Sequence, residues 1–131
     1  MGELYKDWLK AAKDDLDAAS LLLKHDNLTN IIAFHSQQAV EKSLKAVLEF
    51  NDEKPPKKHD LISIYKKASN FIDNIDENIL DTLNLLYIES RYPTDLGLLP
   101  NGKPDKEEAE EFFVFAKTIY SKVLKLTELS Q

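Results

Sequence analysis

The 131 residues include no cysteine. That single absence excludes disulfides, thiolate metal sites and cysteine nucleophiles. Glycine is almost as scarce, and three glycines, at positions 2, 97 and 102, cannot build a glycine-rich phosphate loop. The three histidines, His25, His35 and His59, fall in separate segments. Neither His-Glu-x-x-His nor Glu-x-x-His occurs, so the common zinc-hydrolase and di-iron bundle signatures are missing. No metal and no cofactor are expected. Among the 17 Lys and Arg residues Arg91 is the only arginine, and with it the only planar, bidentate donor for phosphate or carboxylate. Long apolar runs are lacking too: nothing approaches the roughly 20 residues of a membrane span. The start, Met1-Gly2-Glu3-Leu4-Tyr5-Lys6, is charged, and Lys6 stands where a myristoylation pattern needs Ser or Thr. A cytoplasmic protein with no membrane association is expected.

Acidic residues number 23 against 17 basic ones, a formal charge of −6. Phosphate-driven binding of nucleic acid needs a basic surface, so no strong nucleic-acid surface is expected. The length suits one domain, residues 1–131, with enough buried surface to fold without staples.

What the sequence has in abundance is apolar residues at helical spacing, with no run of period-two alternation. Leu4, Trp8, Ala11, Ala12, Leu16, Ala19, Leu22 and Leu23 form a stripe over a first helix from Leu4 to Lys24. A second helix runs from Leu28 or Thr29 to Phe50, with a seam of Ile32, Ser36, Ala39, Ser43 and Leu44 whose small residues admit a close neighbour. Pro55 and Pro56 interrupt the chain. A shorter third helix, Asp60 to Phe71, turns Leu61, Ile64, Tyr65 and Ala68 inward, with Asp60 or His59 as its cap. A fourth, Glu77 to Arg91, carries Ile79, Leu83, Leu86 and Tyr87 on one face and ends before Pro93. Tyr92 to Pro104 holds three prolines and two glycines, an irregular connection. Asp105 then caps a fifth helix with Glu107, Glu108, Glu110 and Glu111 in its first turns, where the macrodipole favours them. The expected fold class is all-α: an antiparallel bundle of about five helices, three long and two short. Phe112 and Phe113 suffice for the core stripe of the last helix, which leaves Phe115 as the candidate dimer contact.

Three local features carry polar chemistry. Gln37, Gln38, Glu41 and Lys45 place two amides, a carboxylate and an ammonium over about two turns of the second helix, which reads as a solvated face closed by an ion pair or as part of a site. His59-Asp60-Leu61 opens the third helix, where a histidine is a cap, a loop residue or a ligand contact. In Glu89-Ser90-Arg91-Tyr92-Pro93-Thr94-Asp95 a helix stops at Arg-Tyr-Pro. Arg91 there either bonds carbonyls of its helix end or clamps an anion.

Taken in order, Trp8-Leu9-x-x-Ala12-x-x-Asp15, Gln37-Gln38-Ala39-x-Glu41-Lys42-x-Leu44-Lys45-Ala46, His59-x-Leu61 and Arg91-Tyr92-Pro93 resemble the HEPN domain family, the higher eukaryote and prokaryote nucleotide-binding domain. The resemblance spans nearly the whole chain and implies an all-α bundle that dimerises. It also implies a minimal nucleotidyltransferase as partner in a toxin–antitoxin-type pair, and a nucleotide such as ATP or GTP as ligand. Many members are metal-independent ribonucleases with Arg, four to six residues, then His. Here those positions after Arg91 hold Leu96, Gly97 and Leu98, and no histidine follows His59. That ribonuclease activity is therefore not expected. The leading reading is a non-catalytic module in which Arg91 contacts phosphate, Lys42 or Lys45 assists, and Tyr92 or Tyr87 stacks on a base, with Gln38, Glu41, His59 and Asp95 as auxiliaries. Two alternatives stand beside it: a divergent ribonuclease using Arg91 with His59 or Asp95, and a purely structural dimerisation module.

Overall fold

The computed structural model describes residues 3–57, 60–90 and 103–129, and they form five helices: α1 (Leu4–Leu22), α2 (Thr29–Phe50), α3 (Leu61–Ala68), α4 (Glu77–Ser90) and α5 (Lys106–Leu129). Three are long and two short, as the periodicity requires. Helix α2 starts and ends where its apolar pattern does. Helix α3 stops at Ala68, three residues early, because Ser69 and Asn70 turn their side chains back onto the carbonyls of Lys66 and Lys67.

Helices α1 and α2 lie antiparallel. The rings of Tyr5 and Phe50 meet edge-to-face at 4.9 Å near one end of the pair, and Asp15 meets His35 nearer the other. Helix α5 begins beside the α1–α2 turn, where Lys103 donates to the carbonyl of Asn27 and Lys106 to those of Leu23 and His25. It packs along α2 and against α1, while α3 and α4 close the remaining side of α2. Helix α2 therefore touches all four others, and residues on every side of it, among them Val40, Leu44, Val47 and Leu48, are buried.

Packing changes three sequence-level expectations. Leu4 is 48% exposed, and Tyr5 with Leu9 takes the inward positions instead, because the face turned to α2 is the one that brings Tyr5 onto Phe50. Glu41 and Lys45 do not form a solvated face: both are buried, since α2 is central and has little surface left for water. Phe115, expected outside as a dimer contact, is buried with Phe112, while Phe113 is half-buried and Val114 is the residue turned to solvent.

Helix starts follow local chemistry. Asp60 is the α3 cap, accepting from the Ile62 N–H at 3.0 Å and the Ser63 hydroxyl at 2.9 Å. Asn84 of α4 locks this end, accepting from the Leu61 N–H and donating to Asp60. Asp105 and Glu108 make a reciprocal capping box at α5, with Glu108 N–H to Asp105 at 2.7 Å and Asp105 N–H to Glu108 at 3.1 Å. Among the described residues, no helix is long and apolar enough to cross a membrane.

Candidate functional site

The facing surfaces of α1 and α2 are not uniformly apolar. His35, Gln38, Lys42 and Lys45 recur at i, i+3, i+7 and i+10, a single stripe of α2. Trp8 and Asp15, seven residues apart, do the same on α1. Antiparallel packing brings the two stripes together in order, Trp8 with Lys45 and Asp15 with both Lys42 and His35.

Asp15 sits between two cationic or hydrogen-bonding groups of α2. Its Oδ2 accepts from Lys42 Nζ at 2.7 Å, and its Oδ1 accepts from His35 Nδ1 at 2.9 Å. A carboxylate has no hydrogen to offer, so Nδ1 of the imidazole must carry it. In the neutral ring Nε2 is then the acceptor. The Asp15 side chain is 10% exposed, whereas His35 and Lys42 are 26% and 25% exposed. The carboxylate is thus buried, and the two groups it orients reach solvent.

A second network lies one turn deeper. Lys45 Nζ pairs with Glu41 Oε2 at 2.9 Å, with both side chains almost wholly enclosed. The same ammonium stands 5.1 Å from the centre of the Trp8 ring, a cation–π contact strengthened by exclusion of water. Gln37 donates weakly to Glu41 at 3.4 Å, and Gln38 donates to the Gln37 side-chain amide oxygen Oε1 at 2.6 Å. A buried charge is tolerable only when paired and hydrogen-bonded, which the Glu41–Lys45 contact achieves. Trp8 Nε1 finds no hydrogen-bond acceptor among the described residues.

The structure therefore joins Gln38, Glu41, Lys42 and Lys45 into one region and gives them different parts. Lys42 has three donor hydrogens, directs one to Asp15 and is a quarter exposed, so it can also meet an anion. Lys45 is enclosed between Glu41 and Trp8, so it can position its neighbours. Arg91, Tyr92, His59 and Asp95 lie outside the described residues, as does the side chain of Tyr87. Asp15 and His35 are not among the site residues that sequence reasoning singles out. Their signal is weak, since a partner 20 or 27 residues away has no local spacing to read; only the Trp8-to-Asp15 heptad hints at it. No group of three His, Asp or Glu side chains placed to hold a metal occurs among the described residues.

The five-helix all-α bundle is a fold shared with known proteins. The HEPN domain profile matches residues 5–126, and the chain belongs to that family. Two solved structures share the fold. TT1696 from Thermus thermophilus superimposes with a TM-score of 0.76 at 24% identity, covering 93% of this chain and 97% of that one. ST0689, an archaeal HEPN homologue, does so with a TM-score of 0.67 at 26% identity, covering 94% and 97%. A protein of Methanocaldococcus jannaschii, "Putative toxin MJ1304", is 46% identical over 46 residues. That stretch is 35% of this chain and only 30% of the archaeal protein's length.

Proposed function

We propose that this HEPN protein acts by binding rather than by cutting RNA: as a module that takes up a nucleotide, a minimal nucleotidyltransferase partner, or both, within a toxin–antitoxin-type pair. The observation that carries the reading is the sequence after Arg91, where Leu96, Gly97 and Leu98 fill the positions of the ribonuclease histidine. Without an imidazole there, the usual general acid or base for attack by a 2′-hydroxyl is missing. The local likeness to a protein named as a toxin supports the toxin–antitoxin setting.

In this reading Arg91 is the phosphate anchor, since a guanidinium grips phosphate with two parallel bonds. Lys42 is the assisting cation, held by Asp15 at the surface end of the seam. Lys45, paired with Glu41 of its own helix, rests on Trp8 and ties α2 to α1 behind it. Tyr87 or Tyr92 stacks on the base, and the protein works as a homodimer.

Calorimetric titration of ATP, GTP and the other mononucleotides into the full chain and into Arg91→Ala tests this. Heat with the natural chain that vanishes in the variant, with an unchanged helical circular dichroism spectrum, is the expected result. No heat at millimolar ligand, where even about −4 kcal/mol of binding registers, would discard the nucleotide and leave the protein partner, sought by co-purification. Metal-free RNA cleavage that is lost in Arg91→Ala would overturn the binding reading in favour of a ribonuclease using Arg91 with His59 or Asp95.

A further inference from the structure

On the side of the molecule formed by α4 and α5, a groove of about 470 Å³ runs between the start of α4 and the outer surface of α5. Its floor is apolar. Phe115 and Ile119 are buried at the bottom, Ile75 and Ile79 are half-buried along one side, and Val114 stands 60% exposed in the wall. The rim is acidic: Asp76, Glu107, Glu110 and Glu111 line it and all four are exposed. One cation, Lys122, closes the far end, and it is committed to the turn before α4. Its Nζ donates to the carbonyls of Asp73 at 3.0 Å and Asn74 at 2.9 Å, holding Asn74 at a φ of 59°. None of Glu107, Glu110 and Glu111 has a cationic partner among the described residues.

The α5 residues of the groove, Glu107, Glu111, Val114, Thr118 and Lys122, follow one another at helical spacing over about four turns, or roughly 22 Å at 1.5 Å per residue. A groove of that length, with its apolar surface at Val114, Phe115 and Ile119 and a helix along its wall, accepts another helix by ridges-into-grooves packing. With α5 on one side and the turn 74–76 and first turn of α4 on the other, it offers no sheet edge for an extended strand. Carboxylates on the rim repel anionic lipid and nucleic acid and attract lysine and arginine. We propose that this groove is the docking surface for a basic amphipathic helix of a partner protein, whose apolar anchors settle over Ile79 and Val114 while its flanking cations pair with Glu107, Glu110 and Glu111. The surface shares no residue with the nucleotide reading, and either can fail alone.

The test uses fluorescence anisotropy with a labelled 18-residue helical peptide carrying leucine on one face and lysine on the other, added to the full chain. Saturable binding is expected, weakened at least tenfold in the Glu110→Lys/Glu111→Lys variant and in Val114→Glu, with the methyl resonances of Ile75, Ile79 and Val114 shifting on titration. The Asp7→Lys/Asp14→Lys variant, which changes net charge equally on α1, should bind as the natural chain does. Equal loss in that control would reduce the effect to overall charge and overturn the proposal. So would undiminished binding by Glu110→Lys/Glu111→Lys, or equal binding of a scrambled peptide of the same composition. A chain that sediments as a dimer and is dispersed by Val114→Glu would assign the groove to a second copy instead. All substituted positions are exposed, and circular dichroism verifies that each variant folds.

Discussion

Asp15 holds two partners from the neighbouring helix at once, and its removal leaves both without their anion. Breaking a buried ion pair costs about 3–5 kcal/mol, and the quarter exposure of Lys42 and His35 lets water recover part of that. Asp15→Ala should therefore lower unfolding free energy by about 2–3 kcal/mol in urea. Lys42→Met should cost visibly less, since His35 still satisfies the carboxylate. Asp60 makes a prediction about pH. Burial alone would raise its pKa, but hydrogen bonds from Ser63, the Ile62 N–H and Asn84 outweigh burial and hold it below the ordinary 3.8. A depressed carboxylate contributes stability in full above its unfolded pKa, and that contribution is lost as pH falls through the folded value. The natural chain should lose stability on acidification below about pH 4 more steeply than Asp60→Asn, a difference that denaturation midpoints across pH 2–6 would register. At this scale the sequence is partly legible. Asp60 and Asp105 announce themselves as caps because capping is local, whereas the Asp15–His35–Lys42 cluster is created by two helices meeting and leaves no spacing of its own.

At the scale of the helix, α2 shows where residue pattern and position in the bundle diverge. Its Glu41 and Lys45 have the spacing of an exposed ion pair, yet they are interior because four other helices surround α2. Pattern gives the period and therefore the helix; which flank is left to water depends on neighbours. The same limit explains Phe115, which arithmetic places outside and packing places inside. The seam of small residues is readable, and it has an energetic signature. Ser36 and Ser43 are fully buried, and neither hydroxyl has a hydrogen-bond partner among the described residues. Burying an unpaired hydroxyl is unfavourable, so Ser43→Ala should be neutral or stabilising by up to about 1 kcal/mol. Ser43→Leu should destabilise by about 1–3 kcal/mol through overpacking. Thermal unfolding of the two variants side by side distinguishes loss of a hydroxyl from loss of room.

For the molecule as a whole, one helix in contact with every other means that its core side chains are shared by all five. Leu44 is fully buried in the second half of α2. Leu44→Ala should cost about 2–5 kcal/mol, and amide exchange should accelerate in α1, α3 and α5 together rather than in α2 alone. An unequal response, confined to one helix, would show that the bundle opens in pieces. The all-α class, the number of helices and the family are within reach of the sequence, because apolar periodicity and ordered motifs are spread along its length. The α4–α5 groove is not, since its apolar floor and acidic rim come from two segments that meet only in the folded chain.

The enclosure of Lys45 also bears on covalent chemistry. A chain without thiols offers amines as its handles for labelling, and fifteen other lysines would seem to make such labelling uninformative. Yet the Lys45 ammonium lies against Trp8 and is bound to Glu41, with its side chain 8% exposed. An acylating reagent that modifies surface amines at once has to wait, at this position, for α1 to lift from α2. The delay at one lysine, read by mass spectrometry, clocks the separation of the first two helices.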